Sequence, residues 1–239
     1  MAITRPQRPW PAIEVKPTLS IVMPVLDEAA GIQATLQALA PLRQRGAEVI
    51  VVDGGSSDTT VALATPWVDR VLVAPKGRAR QMNAGASQAQ ADVLLFLHAD
   101  TQLPLKADEQ VAAAMATGAL WGRFDVTISG RPFMLLVVAA LMNLRSRCTG
   151  IATGDQAVFV RRTAFDAVQG YPDQPLMEDI ELSRHLRRRA APACLRVRVT
   201  TSGRRWEARG VWRTIFLMWR LRWRYWRGES PAVLAEAYR

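Results

Sequence analysis

Two side chains with metal-binding chemistry follow a dense apolar run in the middle of the sequence. His98 and Asp100 stand two residues apart, directly after residues 93–97. Mg²⁺ and Mn²⁺ prefer oxygen ligands and Mn²⁺ also accepts imidazole, so this pair could hold one divalent ion. Such an ion commonly neutralises a diphosphate leaving group. The alternative is a strand end at which Asp100 only caps the chain before Pro104.

A second acidic residue, Asp53, also ends an apolar run and is followed by two glycines. Ser57 or Asp58 is then a suitable N-cap for a helix. The Asp53 carboxylate could accept hydrogen bonds from a base or a ribose, or it could simply close a strand-to-helix turn. The sequence contains neither the G-x-G-x-x-G dinucleotide fingerprint nor the G-x-x-x-x-G-K-[ST] phosphate loop.

Cations introduce a third stretch, which has helical character. Lys76, Arg78 and Arg80 lie before and inside the first turn of a segment rich in small residues. Helix N-termini usually favour acids, so cations at this place indicate a phosphate between them and the backbone amides. A solvated basic face is the alternative. The small residues at 84–86 would let the helix pack closely on a sheet.

Two adjacent carboxylates, Glu178 and Asp179, open an amphipathic helix. Unpaired backbone amides at a helix start stabilise anions. A carboxylate beside a sugar acceptor can act as general base on its hydroxyl group. The alternative is that these residues are ordinary acids of a helix N-terminus without a catalytic role, and we interpret Glu181 in this way. We interpret His185, further along the same helix, as a surface or packing residue.

The elements that carry these residues alternate in the first half of the chain. Buried strands are predicted at 19–25, 47–54, 69–74 and 91–97, with helical spacing between them. The alternation predicts an α/β fold with a parallel sheet and right-handed crossovers. Ligands bind outside the carboxyl ends of such strands. We therefore expect Asp53, Asp100 and Asp179 to converge around one ion-bound diphosphate.

The composition fits one large folded domain. The 239 residues are 49% hydrophobic, so a substantial core is available and global disorder is excluded. Cys148 and Cys194 are too few for a disulfide framework or a metal cage, and we expect both to be reduced in a cytoplasmic protein. Residues 1–18 are proline-rich without the apolar core of a secretory signal, which predicts a flexible arm. No apolar stretch reaches the roughly 20 residues that span a bilayer.

Positive charge is concentrated towards the C-terminus. The formal net charge is +10, and residues 184–228 hold fourteen arginines against one glutamate. A basic surface attracts nucleic acid, anionic lipid or phosphorylated substrates alike. Because no nucleic-acid-binding motif is visible, we do not expect a nucleic-acid partner.

Tryptophan and arginine alternate in a tail at 209–239, which we expect to be helical. Trp219, Trp223 and Trp226 share one helix face. Aromatic rings flanked by cations favour the bilayer interface, so one hypothesis is peripheral attachment at the inner membrane face, near a lipid acceptor. The other hypothesis is that the tryptophans pack on the domain itself or on a second subunit of a homodimer.

Six segments occur in an order that resembles a known family. They are LSIVMPVLDE, VVDGGSSDTT, KGRARQMNAGA, LLFLHADT, GDQAVFV and MEDIELSRHL. Together they resemble glycosyltransferase family 2, whose nucleotide-diphospho-sugar transferase fold of GT-A type has a mostly parallel sheet flanked by helices. FLHADT, GDQ and TSGRRWEARG resemble more closely the bacterial radical-SAM/selenodomain-associated transferases. The resemblance covers 19–238, and we divide the chain into the arm, a glycosyltransferase domain at 19–208 and the tail.

The resemblance implies an inverting, metal-dependent transfer of a sugar from a nucleotide-diphospho-sugar to an acceptor hydroxyl. Mn²⁺ or Mg²⁺ would be the cofactor, and a UDP-sugar is favoured as donor ahead of a GDP-sugar. Asp100 would hold the metal and the diphosphate, and Asp179, paired with Glu178, would be the catalytic base. His98 stands where the family usually has an aspartate, so it could bind the metal, touch the ribose or do neither.

The resemblance also implies binding roles. The nucleotide would contact residues of the first half of the chain: Pro24, Leu26, Glu28, Asp53, Arg78 and Arg80. The acceptor would contact two later segments: Gly154, Asp155, Gln156, Arg204, Arg205 and Trp206. The acceptor is not identified by the sequence, and a lipid-linked molecule is one option.

Two other functions remain open from the sequence. A sugar nucleotidyltransferase on a related fold usually carries a glycine-rich loop with Arg or Lys directly after its first strand, whereas PVLDEAAG follows here. A non-catalytic basic binding protein would not need Asp53, Asp100 and Asp179 near one sheet edge. Both functions therefore rank behind sugar transfer.

Overall fold

The computed structural model describes residues 16–238 of the chain. Its strands are β1 (Leu19–Val25), β2 (Ala47–Asp53), β3 (Arg70–Val73), β4 (Val93–Phe96), β5 (Thr101–Gln102), β6 (Trp121–Ser129), β7 (Phe159–Arg161) and β8 (Ala193–Ser202). Its helices are α1 (Ile32–Ala38), α2 (Ala40–Gln44), α3 (Thr60–Ala64), α4 (Arg78–Gln88), α5 (Ala107–Ala116), α6 (Met134–Thr149), α7 (Arg162–Ala167), α8 (Glu178–Arg187), α9 (Arg204–Arg209), α10 (Val211–Trp226) and α11 (Pro231–Tyr238). Of the predicted arm at 1–18, residues 1–15 lie outside the described residues.

The eight strands of the described region form one sheet in the order β3-β2-β1-β4-β7-β6-β8-β5. The first four run parallel, as the alternation of strands and helices predicts. Beyond β4 the sheet is mixed: β7 is antiparallel to β4 and β6, β6 is parallel to β8, and β5 is antiparallel to β8. The predicted α/β fold is confirmed, whereas a mostly parallel sheet holds only for the first half, because apolar patterning does not encode strand direction.

β1 and β2 are buried along their whole length, since helices cover both faces of the sheet there. Successive residues point to opposite faces, so Ile21 belongs to one apolar cluster and Val22 to the other. α4 packs closely on the sheet: a Cβ added to Gly85 would lie 2.3 Å from Cγ1 of Val22. The prediction that small residues permit this approach is confirmed.

Helices from the second half of the chain pack on β6 and on one another. α6 packs on β6 through Leu135 and Ile128. α10 packs on α11 and on the start of α8 through Leu221, Leu234 and Met177. These contacts place α6, α8 and α10 around the site described below.

The predicted helical tail at 209–239 comprises α10 and α11 in the described region, separated at Gly228, which has φ +88°. α9 spans the predicted domain boundary between 208 and 209. One face of α10 carries five large side chains that are each more than half exposed, here called the aromatic stripe: Trp212, Phe216, Trp219, Trp223 and Trp226. Within residues 16–238, no helix is long and apolar enough to cross a membrane.

Candidate active site

A cavity of about 550 Å³ lies between the sheet and helices α6, α8, α9 and α10. Part of its lining is charged and is called the polar wall: Arg78, His98, Asp100, Arg145, Asp155, Glu178, Asp179 and Arg205. These residues come from α4, the end of β4, α6, the turn after α6, α8 and α9. The fold therefore gathers into one cavity side chains that are far apart in the sequence.

Asp179 is the second residue of α8. Met177, just before the helix, has φ +65°, a left-handed conformation that non-glycine residues rarely adopt. Oδ2 of Asp179 accepts a hydrogen bond from the Gly154 N–H at 2.8 Å, and Oδ1 accepts one from the Ile180 N–H at 2.8 Å. Burial raises the pKa of Asp179 from its usual value, although these two hydrogen bonds oppose the rise. A carboxylate with a raised pKa is suited to take a proton.

Glu178 adds a second carboxyl group beside Asp179. It is buried, and burial together with the Asp179 charge raises the pKa of Glu178. Burial and the charges of both acids raise the pKa of Tyr171 well above its usual value, so its hydroxyl stays protonated. The Tyr171 ring packs edge-on against Phe96, with ring centroids 4.9 Å apart. No pattern in the sequence singles out Tyr171.

His98 is fixed between two neighbours. Its Nδ1 lies 3.6 Å from Oδ1 of Asp155, and its side chain is only 15% exposed. Its ring lies against Gly154, where an added Cβ would come within 2.2 Å of the His98 Cε1. Burial disfavours the Asp155 charge, but the nearby His98 together with the charges of Arg78 and Arg205 holds the pKa of Asp155 below its usual value. His98 therefore links the end of β4 to the turn that carries Gly154.

Asp100 is the accessible carboxylate of the polar wall. It is exposed, and the Thr101 hydroxyl approaches its Oδ1 at 3.4 Å. Within residues 16–238, no group of three or more His, Cys, Asp or Glu side chains could hold a metal ion. Mg²⁺ and Mn²⁺ in nucleotide sites often use one or two carboxylates, with substrate phosphates and water completing the shell. Asp100 fits such an ion in combination with a diphosphate, and His98, which faces Asp155, is not required.

Three arginines lie near the carboxyl groups of Asp100 and Glu28. Arg78 and Arg205 belong to the polar wall, and Nη2 of Arg204 lies 3.8 Å from Oε2 of Glu28. Burial and then the Asp100 charge raise the pKa of Glu28, while Arg204 and Arg78 oppose the rise. Burial and the repulsion of Arg78 lower the pKa of Arg205. Cations that repel one another in this way favour an anionic ligand.

Arg145 is a member of the polar wall that the sequence patterns do not single out. Among the described residues, the buried Nε and Nη2 atoms of Arg145 find no hydrogen-bond partner. Leaving a buried donor unpaired costs about 1–3 kcal/mol, so such donors normally meet an acceptor. A ligand in the cavity can supply that acceptor. The signal in the sequence is an arginine within the largely apolar stretch that forms α6.

Asp53 does not line this cavity. It is 4% exposed, and its carboxylate accepts hydrogen bonds from the Gly55 N–H at 3.0 Å and from the N–H and hydroxyl of Ser56. β1 separates β2 from β4, so the end of β2 is about 10 Å from the end of β4 along the sheet edge. The expected convergence of three acids is therefore corrected. Asp100 and Asp179 line the same cavity, whereas Asp53 stabilises a turn farther along the same edge of the sheet.

Two further predicted site residues lie outside the cavity lining. Gln156 is fully buried and lies outside the cavity lining, because its Oε1 accepts a hydrogen bond from the Thr153 N–H at 3.2 Å and caps the turn. That Gln156 contacts an acceptor stays a prediction. Arg80 lies on the surface, where its Nε donates to Oδ1 of Asp173 at 2.8 Å, so Arg78 is the α4 cation in the cavity.

The remaining predicted contact residues lie either in the cavity lining or at the end of β1. Gly154, Asp155, Arg205 and Trp206 are part of its lining. Pro24 is buried in β1, and Leu26 and Glu28 are half-buried directly after that strand. Their roles in binding stay predictions.

The chain is similar in sequence to curated glycosyltransferases. It is 32% identical over 116 residues to an uncharacterized glycosyltransferase of Mycobacterium tuberculosis, a match that covers 44% of each chain. It is 29% identical over 181 residues to the undecaprenyl-phosphate 4-deoxy-4-formamido-L-arabinose transferase of Pseudomonas fluorescens, covering 67% of this chain and 51% of that one. The chain thus spans about half the length of these relatives.

Solved structures share the fold. TarS of S. aureus in complex with UDP superposes with a TM-score of 0.64 at 17% identity, over 77% of this chain and 60% of that one. Glucosyl-3-phosphoglycerate synthase of Mycobacterium tuberculosis, in complex with Mn²⁺, UDP and phosphoglyceric acid, superposes with a TM-score of 0.57 at 19% identity, over 79% and 71%. The chain therefore has a GT-A-like fold.

A match to a protein family covers the part of the chain that builds most of the sheet. Residues 20–165, from β1 to α7, match Glycosyl transferase family 2. The matched segment is more than half of the 239 residues and contains Asp53, His98, Asp100 and Gly154. The chain belongs to glycosyl transferase family 2.

Proposed function

We propose that this chain catalyses an inverting, metal-dependent transfer of a sugar from a nucleotide-diphospho-sugar to an acceptor hydroxyl. One observation carries the proposal: Asp179, whose pKa is raised by burial, and the accessible carboxylate of Asp100 line the same cavity. The first carboxylate is suited to take a proton and the second to hold a cation. Displacement of a diphosphate by an alcohol needs both tasks in one place.

The reaction is a single displacement at the anomeric carbon. The acceptor hydroxyl gives its proton to Asp179 while its oxygen attacks that carbon from the face opposite the diphosphate. The bond from the anomeric carbon to the diphosphate oxygen breaks, so the configuration inverts. The hydrogen bonds from Gly154 and Ile180 hold the Asp179 carboxylate in place for this step. A covalent enzyme intermediate is not required.

Asp100 would hold Mn²⁺ or Mg²⁺ together with the diphosphate. When bound, the ion supplies positive charge that offsets the charge of the departing nucleoside diphosphate. Arg78 and Arg205 of the polar wall bind the phosphate oxygens and offset the same charge. His98, which faces Asp155, orients the turn that positions Gly154. The role of His98 as a metal ligand remains a weaker option.

The donor in this proposal is a UDP-sugar, with a GDP-sugar as the second option. The UDP complexes of two proteins with the same fold support UDP. A nucleotide that lies along the sheet edge would place its base near Asp53 and Leu26 and its diphosphate near Asp100, because β1 lies between β2 and β4. Pro24 and Glu28 would flank its path.

The proposal includes lipid-linked molecules among the acceptors. The name of the Pseudomonas fluorescens relative, an undecaprenyl-phosphate sugar transferase, supports this class. We also propose that the chain belongs to the radical-SAM/selenodomain-associated subgroup, which the segments FLHADT, GDQ and TSGRRWEARG support.

We further propose that the protein attaches peripherally to the inner membrane face through the aromatic stripe of α10. Trp223 and Trp226 are 58% and 78% exposed, and arginines flank them in the sequence. Tryptophan prefers the bilayer interface, and arginine is attracted to anionic lipid. The full chain should co-sediment with phosphatidylglycerol vesicles at low salt, and a Trp223→Ser, Trp226→Ser variant should not. A stripe that instead forms a homodimer in solution would contradict the membrane proposal.

The metal and donor part of the proposal is tested by thermal shift. A panel of nucleotide sugars with Mn²⁺ is added to the full chain and to Asp100→Ala. A UDP-sugar should raise the Tm of the parent chain and leave that of Asp100→Ala almost unchanged. Asp166→Ala, at an exposed aspartate outside the cavity, is the control and should respond like the parent. Release of pyrophosphate from a nucleoside triphosphate and a sugar phosphate would instead identify a nucleotidyltransferase.

A further inference from the structure

The cavity has an apolar wall that the proposed chemistry does not use. Its members come from β6, α6, α8 and α10: Ile128, Val138, Met142, Ile180, Ile215 and Met218. Ile180 directly follows the proposed base, Asp179. The apolar wall therefore lies in the same cavity as the Asp179 carboxylate, which the acceptor hydroxyl has to reach.

Three large apolar side chains are both exposed to water and part of the cavity lining. Leu141 and Leu144 of α6 are 54% and 56% exposed, and Trp219 of α10 is 65% exposed. The cavity therefore opens to the outside between α6 and α10. Exposed apolar groups around a concave site indicate an apolar ligand.

Few polar groups reach the cavity from these two helices. Within the described residues, the polar side chains that α6 and α10 add to the lining are Arg145, Thr214 and Arg222. The Thr214 hydroxyl already donates to the Gly210 carbonyl at 2.9 Å. A sugar placed against the apolar wall would lose water without finding enough partners, whereas a hydrocarbon chain gains affinity from burial.

The geometry points to a subsite for a hydrocarbon chain of the acceptor, alkyl or isoprenoid, along the apolar wall. The hydroxyl-bearing head lies at Asp179, and the chain leaves between Leu141 of α6 and Trp219 of α10. The inference rests on the proposed function, which supplies the position of the head. In this arrangement the apolar wall selects acceptors by the length of their hydrocarbon chain.

Hexyl, heptyl and octyl β-D-glucoside test this subsite in the full chain without any donor. Each is used below its critical micelle concentration, and binding is measured by titration calorimetry. The Kd should fall roughly fourfold for each added methylene group. Leu141→Glu and Trp219→Ser should each weaken octyl glucoside binding about tenfold, because they remove apolar surface at the cavity opening. A Kd that does not depend on chain length overturns the inference.

Each of these two variants has a matched control on the same helix. Leu136 of α6 is 54% exposed, like Leu141, and Phe216 of α10 is 64% exposed, close to Trp219, but neither lines the cavity. Leu136→Glu and Phe216→Ser should leave the Kd of octyl glucoside unchanged. If they weaken binding as much as the cavity variants do, the glucosides adsorb to the outer surface and the subsite is refuted.

Failure of the proposed function gives a different result. UDP release from a UDP-sugar with Mn²⁺ and octyl glucoside reports transfer separately from binding. Chain-length-dependent binding without any transfer supports the subsite and contradicts sugar transfer. Transfer to short-chain and long-chain glucosides with equal kcat/KM contradicts the subsite and leaves sugar transfer in place.

Discussion

The backbone N–H of Gly154 donates a hydrogen bond to Oδ2 of Asp179 at 2.8 Å, which joins the turn after α6 to the start of α8. The other side of Gly154 lies against the ring of His98. Gly154 therefore connects the end of β4 to Asp179, the proposed base. A displacement of this one residue would move both sides of the polar wall relative to each other.

Gly154→Ala should damage the site through sterics alone. An added Cβ would lie 2.2 Å from Cε1 and 2.4 Å from Nε2 of His98, so the imidazole or the turn has to move. Overpacking of this kind costs about 1–3 kcal/mol. Each kcal/mol corresponds to about 2–4 °C in Tm for a chain of this size. We expect a lower Tm and a large loss of transfer, measured by thermal unfolding and by UDP release.

The control for this substitution is Gly31→Ala. In the part of the chain that the structure describes, nothing lies within 4 Å of a Cβ added to Gly31, and its φ of −130° is open to alanine. Gly31→Ala should keep its activity and lose only the small stability that glycine has over alanine at the N-cap of α1. If Gly154→Ala behaves like Gly31→Ala, the contact between His98 and the turn does not matter for the site.

Glu178→Gln should change the pH dependence of both activity and stability. Burial and the Asp179 charge raise the pKa of Glu178 above its unfolded value. Its stability contribution is therefore present below the unfolded pKa and is lost as the pH rises through the folded pKa. Above its folded pKa the ionised Glu178 destabilises the folded state, and glutamine removes that penalty. The variant should unfold at a higher Tm than the parent at pH 7, with the difference shrinking towards acid pH.

The same substitution also removes a negative charge next to Asp179. Because Asp179 must be deprotonated to act as base, the rate falls as the pH drops through its pKa. Because the Asp179 charge raises the pKa of Glu178, the two carboxyl groups titrate as an interacting pair, and the acid limb of the kcat/KM profile should shift when position 178 can no longer ionise. An acid limb that stays in place, or a Tm difference that does not vary with pH, would show that the two carboxyl groups do not interact.

Arg145→Met should stabilise the free protein and weaken ligand binding. Two buried donors of Arg145 have no partner within residues 16–238, so their removal should recover part of the roughly 1–3 kcal/mol that unpaired buried donors cost. We expect a higher Tm without ligand and a smaller rise in Tm when a UDP-sugar and Mn²⁺ are added. Arg147→Met is the contrast on the same helix: Arg147 donates to Oδ2 of Asp125 at 2.6 Å, so its loss should lower the Tm. Equal ligand stabilisation of the parent and Arg145→Met would remove Arg145 from the binding site.

The first half of the fold follows from local patterning because its strands are buried on both faces. β1 and β2 consist almost entirely of apolar residues and are separated by helices, which leaves a parallel arrangement as the expected one. The later strands are short or partly exposed. Their direction depends on how α6 and the following turn return the chain to the sheet, which residue periodicity does not specify.

The candidate site, too, can be predicted from the sequence only in part. The acid after β4 is recognisable because an apolar run precedes it. The two acids of α8 are recognisable because they stand at the start of an amphipathic helix. Asp53 was expected beside them, but strand order places β1 between β2 and β4, and strand order is a tertiary property. Arg145 lines the cavity and Tyr171 belongs to the apolar core, and each lies in a segment without a local chemical pattern. Only the fold brings them near Asp179.

Asp179→Asn tests the central claim most directly, in an assay of UDP release and product formation with a UDP-sugar and Mn²⁺. The account predicts that the variant binds the donor with nearly the parent affinity and loses transfer by roughly 10²–10⁴-fold, the contribution usual for a general base. Asp166→Asn, at an exposed aspartate outside the cavity, should transfer at the parent rate. Transfer by Asp179→Asn within a few-fold of the parent rate would contradict the assignment of Asp179 as the base.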